Sequence, residues 1–166
     1  MSNQNQENET YQIVFNSQGT NTMTAVGTAA QRAAITYNVN WEALIPRNKY
    51  NKFRCRFVFK SIPYAGVGNN GLLQEVGFVN MNLGRVNIYD GLQQSQNLGI
   101  IYAVLLIITA NAQRSYYTCD NSNNNEFVID YPNNSMITIG LNNFNGAILA
   151  NMPHYVLILN LTGFNV

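Results

Sequence analysis

The chain has 166 residues, 46% of them hydrophobic and only 10% charged, with 28 asparagines and a formal net charge of +1. That length fits one domain with one continuous core, and the surface must be made polar by neutral amides and hydroxyls rather than by salt. Near-zero net charge excludes a nucleic-acid binder held by phosphate neutralisation, and it excludes a polybasic membrane anchor. One histidine and eight carboxylates leave most catalytic constellations short of members.

The first residues, 1–10, read MSNQNQENET. They lack the charged and apolar regions of a signal peptide, so a flexible polar arm is expected there and one domain over residues 11–166. Period-two alternation then dominates. Tyr11, Ile13 and Phe15 share one face of a first strand, and Ile35, Tyr37, Val39 and Trp41 one face of a second. A helical turn is expected from Trp41 to Ile45, before Pro46. The clearest alternation is Phe53-Arg-Cys-Arg-Phe-Val-Phe-Lys60, with Phe53, Cys55, Phe57 and Phe59 inward and Arg54, Arg56 and Lys60 outward. Leu72 to Leu83 is strand-like but slips phase near Gly77, where a bulge would restore register. Val86 and Ile88 mark a short strand, and a second helical turn is expected near Gly91 to Leu98.

The apolar run from Leu98 to Ala110 is about 13 residues long, against roughly 20 for a spanning helix. It predicts a buried central strand over Ile100 to Ile108. The tract from Asp120 to Asn125 predicts a surface loop. Phe127, Ile129 and Tyr131 alternate with Glu126 and Asp130. Ile137, Ile139 and Leu141 follow, and Tyr155, Leu157, Leu159 and Leu161 close the chain. Turn residues punctuate these runs at Asn70-Gly71, Asp90-Gly91, Pro132-Asn-Asn134 and Asn145-Gly146. The expected fold class is all-β, an antiparallel two-sheet β-sandwich or barrel of eight or nine strands.

The candidate chemistry is thin. His154, the one imidazole, stands before the last strand without a GxSxG elbow or a thiol-protease signature to serve, and a structural role is expected. The acids Glu42, Glu75, Asp90, Asp120, Glu126 and Asp130 show no paired spacing. Asp120 to Glu126 has the oxygens of a calcium loop but not its glycine or its terminal glutamate. Gly66 to Gly71 lacks the lysine of a phosphate loop. Cys55 alternates with phenylalanines and is expected to be a buried thiol rather than half of a disulfide with Cys119. No catalytic, cofactor or metal residue is assigned. Sequons begin at Asn8, Asn133 and Asn160, as many as chance supplies in so asparagine-rich a chain. Tyr50, Tyr64, Tyr116 and Tyr117 fall in or near expected loops, where low-charge aromatic surface suits a sugar or a protein partner. A surface so poor in charge repels copies of itself weakly.

The ordered segments carry a resemblance. Tyr11-Gln-Ile-Val-Phe-Asn16 is followed by Tyr37-Asn-Val-Asn-Trp41 with a turn to Pro46, then by Lys49-Tyr50 leading into Phe53 to Ser61. Met136-Ile-Thr-Ile-Gly-Leu-Asn-Asn-Phe-Asn-Gly146 precedes Met152-Pro-His-Tyr-Val-Leu-Ile-Leu159. Over most of residues 11–162 the chain resembles small β-sandwich proteins of large and medium-sized eukaryotic double-stranded DNA viruses and their virophage-like relatives, a group associated with minor capsid components. It departs from them at Pro46-Arg-Asn48, where they carry a Pro-acidic-Gly turn. The resemblance implies a jelly-roll-like domain that is not an enzyme, uses no cofactor, and acts in the virion as a minor shell, cement or vertex component. Its implied partners are other capsid proteins and copies of itself, in an oligomer or larger assembly, with synthesis in the host cell and no secretory signal or transmembrane segment. The arm has two glutamates and no lysine or arginine, so contact with a neighbour is expected rather than contact with nucleic acid. The alternative is a carbohydrate-binding β-sandwich or attachment module using loop tyrosines and Trp41. The alternation of Trp41 with Tyr37 and Val39 predicts burial, whereas a sugar platform needs an exposed ring.

Overall fold

The computed structural model describes residues 8–19, 34–61, 64–65, 76–83, 88–89, 94–95, 97–109, 112–119, 126–143 and 154–166. They are mostly β, with one short helix. The strands are β1 (Thr10–Asn16), β2 (Ala34–Asn38), β3 (Lys52–Ser61), β4 (Tyr64–Ala65), β5 (Val76–Met81), β6 (Ile88–Tyr89), β7 (Gln94–Ser95), β8 (Asn97–Thr109), β9 (Ala112–Cys119), β10 (Glu126–Asp130), β11 (Met136–Asn143) and β12 (Tyr155–Phe164). Nine of them have five residues or more; eight of these fall on expected strands and the ninth, β9, does not.

All described pairings are antiparallel. Hydrogen bonding runs in the order β1-β12-β3-β9-β8-β5-β11-β2, with β10 on β3, β4 on β9, and β6-β7 apart. Within this order lies a four-strand unit, β1-β12-β3-β10, whose ladders are continuous from Thr10↔Thr162 to Asn16↔Val156, from Lys52↔Phe164 to Ser61↔Tyr155, and from Lys52↔Asp130 to Arg56↔Glu126. Strand β3 joins β9 through one register pair, Lys60↔Thr118. Beyond it, β8, β5, β11 and β2 follow.

The core is assembled from the predicted faces. Phe53, Cys55, Phe57 and Phe59 of β3, Tyr155, Leu157, Leu159 and Leu161 of β12, and Ile13 and Phe15 of β1 are buried, while Arg54, Arg56 and Lys60 are exposed. Ile35, Tyr37, Ile137, Ile139, Leu141, Val79 and Met81 bury the facing side. The two faces meet where Phe15 of β1 sets its ring edge on Tyr37 of β2, with centroids 5.1 Å apart, and where the Tyr37 hydroxyl donates to the Tyr155 hydroxyl at 3.3 Å. Fully burying such side chains stabilises a fold by about 1.5 to 3 kcal/mol each, before chain entropy is subtracted.

Helix α1 (Trp41–Leu44) falls on the predicted turn. Asn40 caps it by accepting the Ala43 N–H, and Pro46 follows Ile45, whose extended backbone ends it. Cys55 is a free buried thiol, and burial pushes its pKa up.

Several expectations are corrected. Of the segment Gly91 to Leu98, the described residues, Gln94–Ser95 and Asn97 onward, are strand rather than helical turn. Pairing of β5 with β8 is regular through Gly77 and shifts between Val79 and Asn80, where the extra residue, Leu98, lies on β8. Tyr116 and Tyr117 lie within β9 and Tyr64 within β4. Tyr50 is buried, its ring edge-on to Phe53. Within the expected arm, Thr10 belongs to β1, and Glu9 is tied down by Lys49, the Tyr11 hydroxyl and the Gly163 N–H. The rest of the expected arm, the Gly66–Gly71 segment and the loop at 120–125 lie outside the described residues.

Burial sets the pH response at the alkaline end. It raises the Tyr37 pKa to about 12 and pushes Tyr155 up as well. A phenol whose folded pKa exceeds its unfolded value of about 10 contributes stability that is complete below pH 10 and is lost as pH rises through the folded pKa. Urea midpoints are expected to hold up to about pH 10 and to fall steadily towards pH 12; a flat profile over that window would contradict the buried pair.

Candidate interaction surface

The outer side of the β1-β12-β3-β10 unit is read from its ladders. One row runs Thr10, Thr162, Arg54, Val128; the next runs Gln12, Asn160, Arg56, Glu126; the next runs Val14, Ile158, Val58. The Thr10 and Thr162 hydroxyls are 2.8 Å apart, and the Gln12 amide donates to Asn160 Oδ1 at 3.1 Å. The outward cations of β3 are partly neutralised on this face. Glu126 takes Arg54 Nε at 3.0 Å and Arg56 Nε at 2.5 Å on separate oxygens, and Lys52 pairs with Asp130. Such exposed pairs are worth about 0 to 1 kcal/mol each, so they set the face's charge more than its stability.

The edges of this unit differ. Strand β10 carries Glu126 and Asp130 in five residues. Strand β1 reads TYQIVFN over seven residues, with no charge, no proline and no register shift, and among the described residues it pairs on one side only, with β12. Natural edge strands are usually blunted by charge, proline or a bulge. Strand β1 has none of these.

A cleft of about 360 Å³ lies at the helix end of the fold, lined by Asn38, Asn40, Glu42, Arg47, Tyr131 and Asn133 among others. Arg47 spans it, pairing with Glu42 at 3.3 Å, donating to Asn133 Oδ1 at 3.3 Å, and lying 5.6 Å from the Tyr131 ring centroid. The Tyr131 hydroxyl donates to the Ile45 carbonyl. Trp41, which also borders the cleft, is 4% exposed, and its Nε1–H donates to the Asn134 carbonyl at 2.7 Å. The indole is a wall of the core rather than an open platform.

The fold also makes one constellation that sequence reading missed. Ser17, fully buried just after β1, accepts the Tyr155 N–H on Oγ at 2.9 Å and donates its own N–H to the Tyr155 carbonyl at 3.0 Å. The same Oγ is 3.0 Å from His154 Nδ1. A serine nucleophile must present its oxygen to a substrate, with a base free to take its proton. Here the oxygen is closed to solvent and occupied by a backbone N–H, so the pair fastens the end of β1 to the start of β12. Ser17→Ala leaves that N–H without its acceptor and is expected to cost about 2 kcal/mol. A lowered urea midpoint at unchanged slope would show it, and an unchanged midpoint would contradict it.

Among the described residues no three of His, Cys, Asp and Glu converge as a metal site, and no helix is long and apolar enough to cross a membrane. A mostly β architecture with antiparallel pairing and one short helix is the class these features define. No protein-family model and no curated protein matches the chain.

Proposed function

We propose that this chain is a structural protein of a viral capsid, a minor shell, cement or vertex component, and that its strands form a jelly-roll-like two-sheet sandwich packed against neighbours in an icosahedral particle. The observation that carries the reading is the uncharged edge of β1, which among the described residues pairs on one side only. A freely diffusing monomer gains from a blunted edge, whereas a subunit that pairs with neighbours needs an open one. Pairing with Glu126 and Asp130 leaves the Lys52, Arg54, Arg56 and Lys60 face only a small positive excess, too little for a phosphate-tracking stripe, which supports protein partners over nucleic acid. The burial of Ser17 supports a non-enzymatic role. The partners are other capsid proteins and copies of the chain, and the location is the virion. The test is co-purification: the chain should travel with gradient-purified particles at a fixed ratio to other shell proteins, and its absence from them would sink the reading.

A second reading, a carbohydrate-binding or attachment module, draws on the amide-lined cleft around Arg47. The buried, hydrogen-bonded Trp41 speaks against stacking on a sugar. Its fluorescence is expected to be that of a water-shielded indole and to stay unmoved by glycans; a water-exposed spectrum that shifts on adding them would favour the second reading.

A further inference from the structure

Strand β1 is self-complementary, and we infer that two copies of the chain pair through it, antiparallel about a two-fold axis at Ile13, joining their four-strand units edge to edge. The inference rests on the assembly reading and names its partner as a second copy. Centring on Ile13 is the one register that uses all seven residues of the strand. It sets Thr10 opposite the second copy's Asn16, Tyr11 opposite Phe15, Gln12 opposite Val14, and Ile13 opposite itself. Inward-facing residues then meet inward-facing ones, with an aromatic pair on either side of a β-branched pair, the combinations that favour cross-strand contact. Outward-facing residues meet as amide, hydroxyl and Val14, which is half exposed. No like charges oppose, because the strand carries none. Every second residue directs its N–H and C=O to the side on which no described strand pairs, and an antiparallel copy offers the matching groups.

The other edge of the unit does not offer this. Pairing β10 with itself about Val128 would set Glu126 against the second copy's Asp130 twice, a like-charge opposition that costs stability. The contact is a two-fold, isologous one, so it closes at two copies and does not run on into a fibre.

The experiment is sedimentation velocity on the full chain at increasing concentration. The parent should show a concentration-dependent dimer. The double variant Gln12→Lys with Val14→Lys puts four cations onto the joint and should weaken dimerisation about tenfold or more, the effect edge lysines have on strand addition. Val128→Lys, an equally exposed change on β10, should leave it unaltered. Circular dichroism and Trp41 emission report whether each variant folds. As a second measurement that does not depend on the lysine pair, Gln12→Cys with Val14→Cys brings thiols opposite across the two-fold at a separation a disulfide can span. Oxidation should yield a covalent dimer above the background set by Cys55 and Cys119 in the parent chain. A parent that stays monomeric, a lysine variant that dimerises like the parent, or a cysteine variant that does not cross-link would overturn the inference. A dimer that never enters particles would sink the capsid reading and leave this pairing standing; a chain found in particles as an unpaired monomer would do the reverse.

Discussion

Replacing Phe59 with alanine should remove about 4 kcal/mol of stability. Phe59 is fully buried on β3, where its alternation with Lys60 and Val58 places it on the core face. Its ring stacks on Tyr155 of β12, with centroids 5.2 Å apart and planes 28° from parallel. Truncation loses the transfer free energy of the ring and leaves a void between two laddered strands that cannot close without breaking their pairing, so little of the cost can be relaxed away. Against a total stability of about 5 to 15 kcal/mol for an ordinary domain, the variant stands near the edge of folding. Urea unfolding followed by Trp41 emission reads the change; a loss under about 1 kcal/mol would mean that this face is not packed as described.

Gly163→Ala is expected to cost about 3 kcal/mol by the opposite route, overpacking. A methyl group at Gly163 would lie 2.3 Å from Cδ2 and 2.4 Å from Cγ of Tyr50. These are atoms at the root of the ring, not the end of a flexible chain, and Tyr50 is itself buried against Phe53. The ring can make room only by leaving its site or by pushing β12 off β3, where Gly163 pairs with Phe53. The cause is checked by a cycle. In a Tyr50→Ala background the same glycine substitution should cost under about 1 kcal/mol, the coupling expected of residues in contact. An equal cost in both backgrounds would place the strain in the backbone instead of at the ring.

These two sites also mark what sequence could and could not disclose. Phe59 was legible because strands β1, β3 and β12 alternate strictly, and a period of two with one wet face leaves a single orientation for each residue. The short helix was legible from Pro46, which signals its stop. Tyr50 was not, because a lone aromatic between turns has no periodicity. Its burial depends on a residue lacking a side chain at position 163, brought to it by the last strand. Strand β9 was missed for a related reason: AQRSYYTC mixes polar and aromatic residues on both faces and offers no apolar alternation to read. Its neighbour β8 was visible as an apolar run.

The proposed interaction edge has no position in the sequence. Low charge and abundant asparagine pointed to a surface able to sit against protein, but which edge is open depends on the pairing of the first strand with the last. That is a contact of high sequence separation with no local signature. The Ser17 and His154 pair belongs to the same category. Register brings Asn16 opposite Val156, and the residues just beyond that pair meet because the strands do. Of the tyrosines offered for contact, Tyr50 was a misreading with a definite cause: turn residues near an aromatic do not place it outside, and Tyr50 lies in the core; Tyr64, Tyr116 and Tyr117 belong to strands rather than loops.

The most direct test of the assembly reading is a map of purified particles, at a resolution that separates subunits, with this chain located in it. The account predicts density for the chain within the icosahedrally ordered shell, at fixed occupancy, with β1 at a contact between subunits. Density only at the tip of a projecting fibre, or no ordered density in the shell, would contradict it.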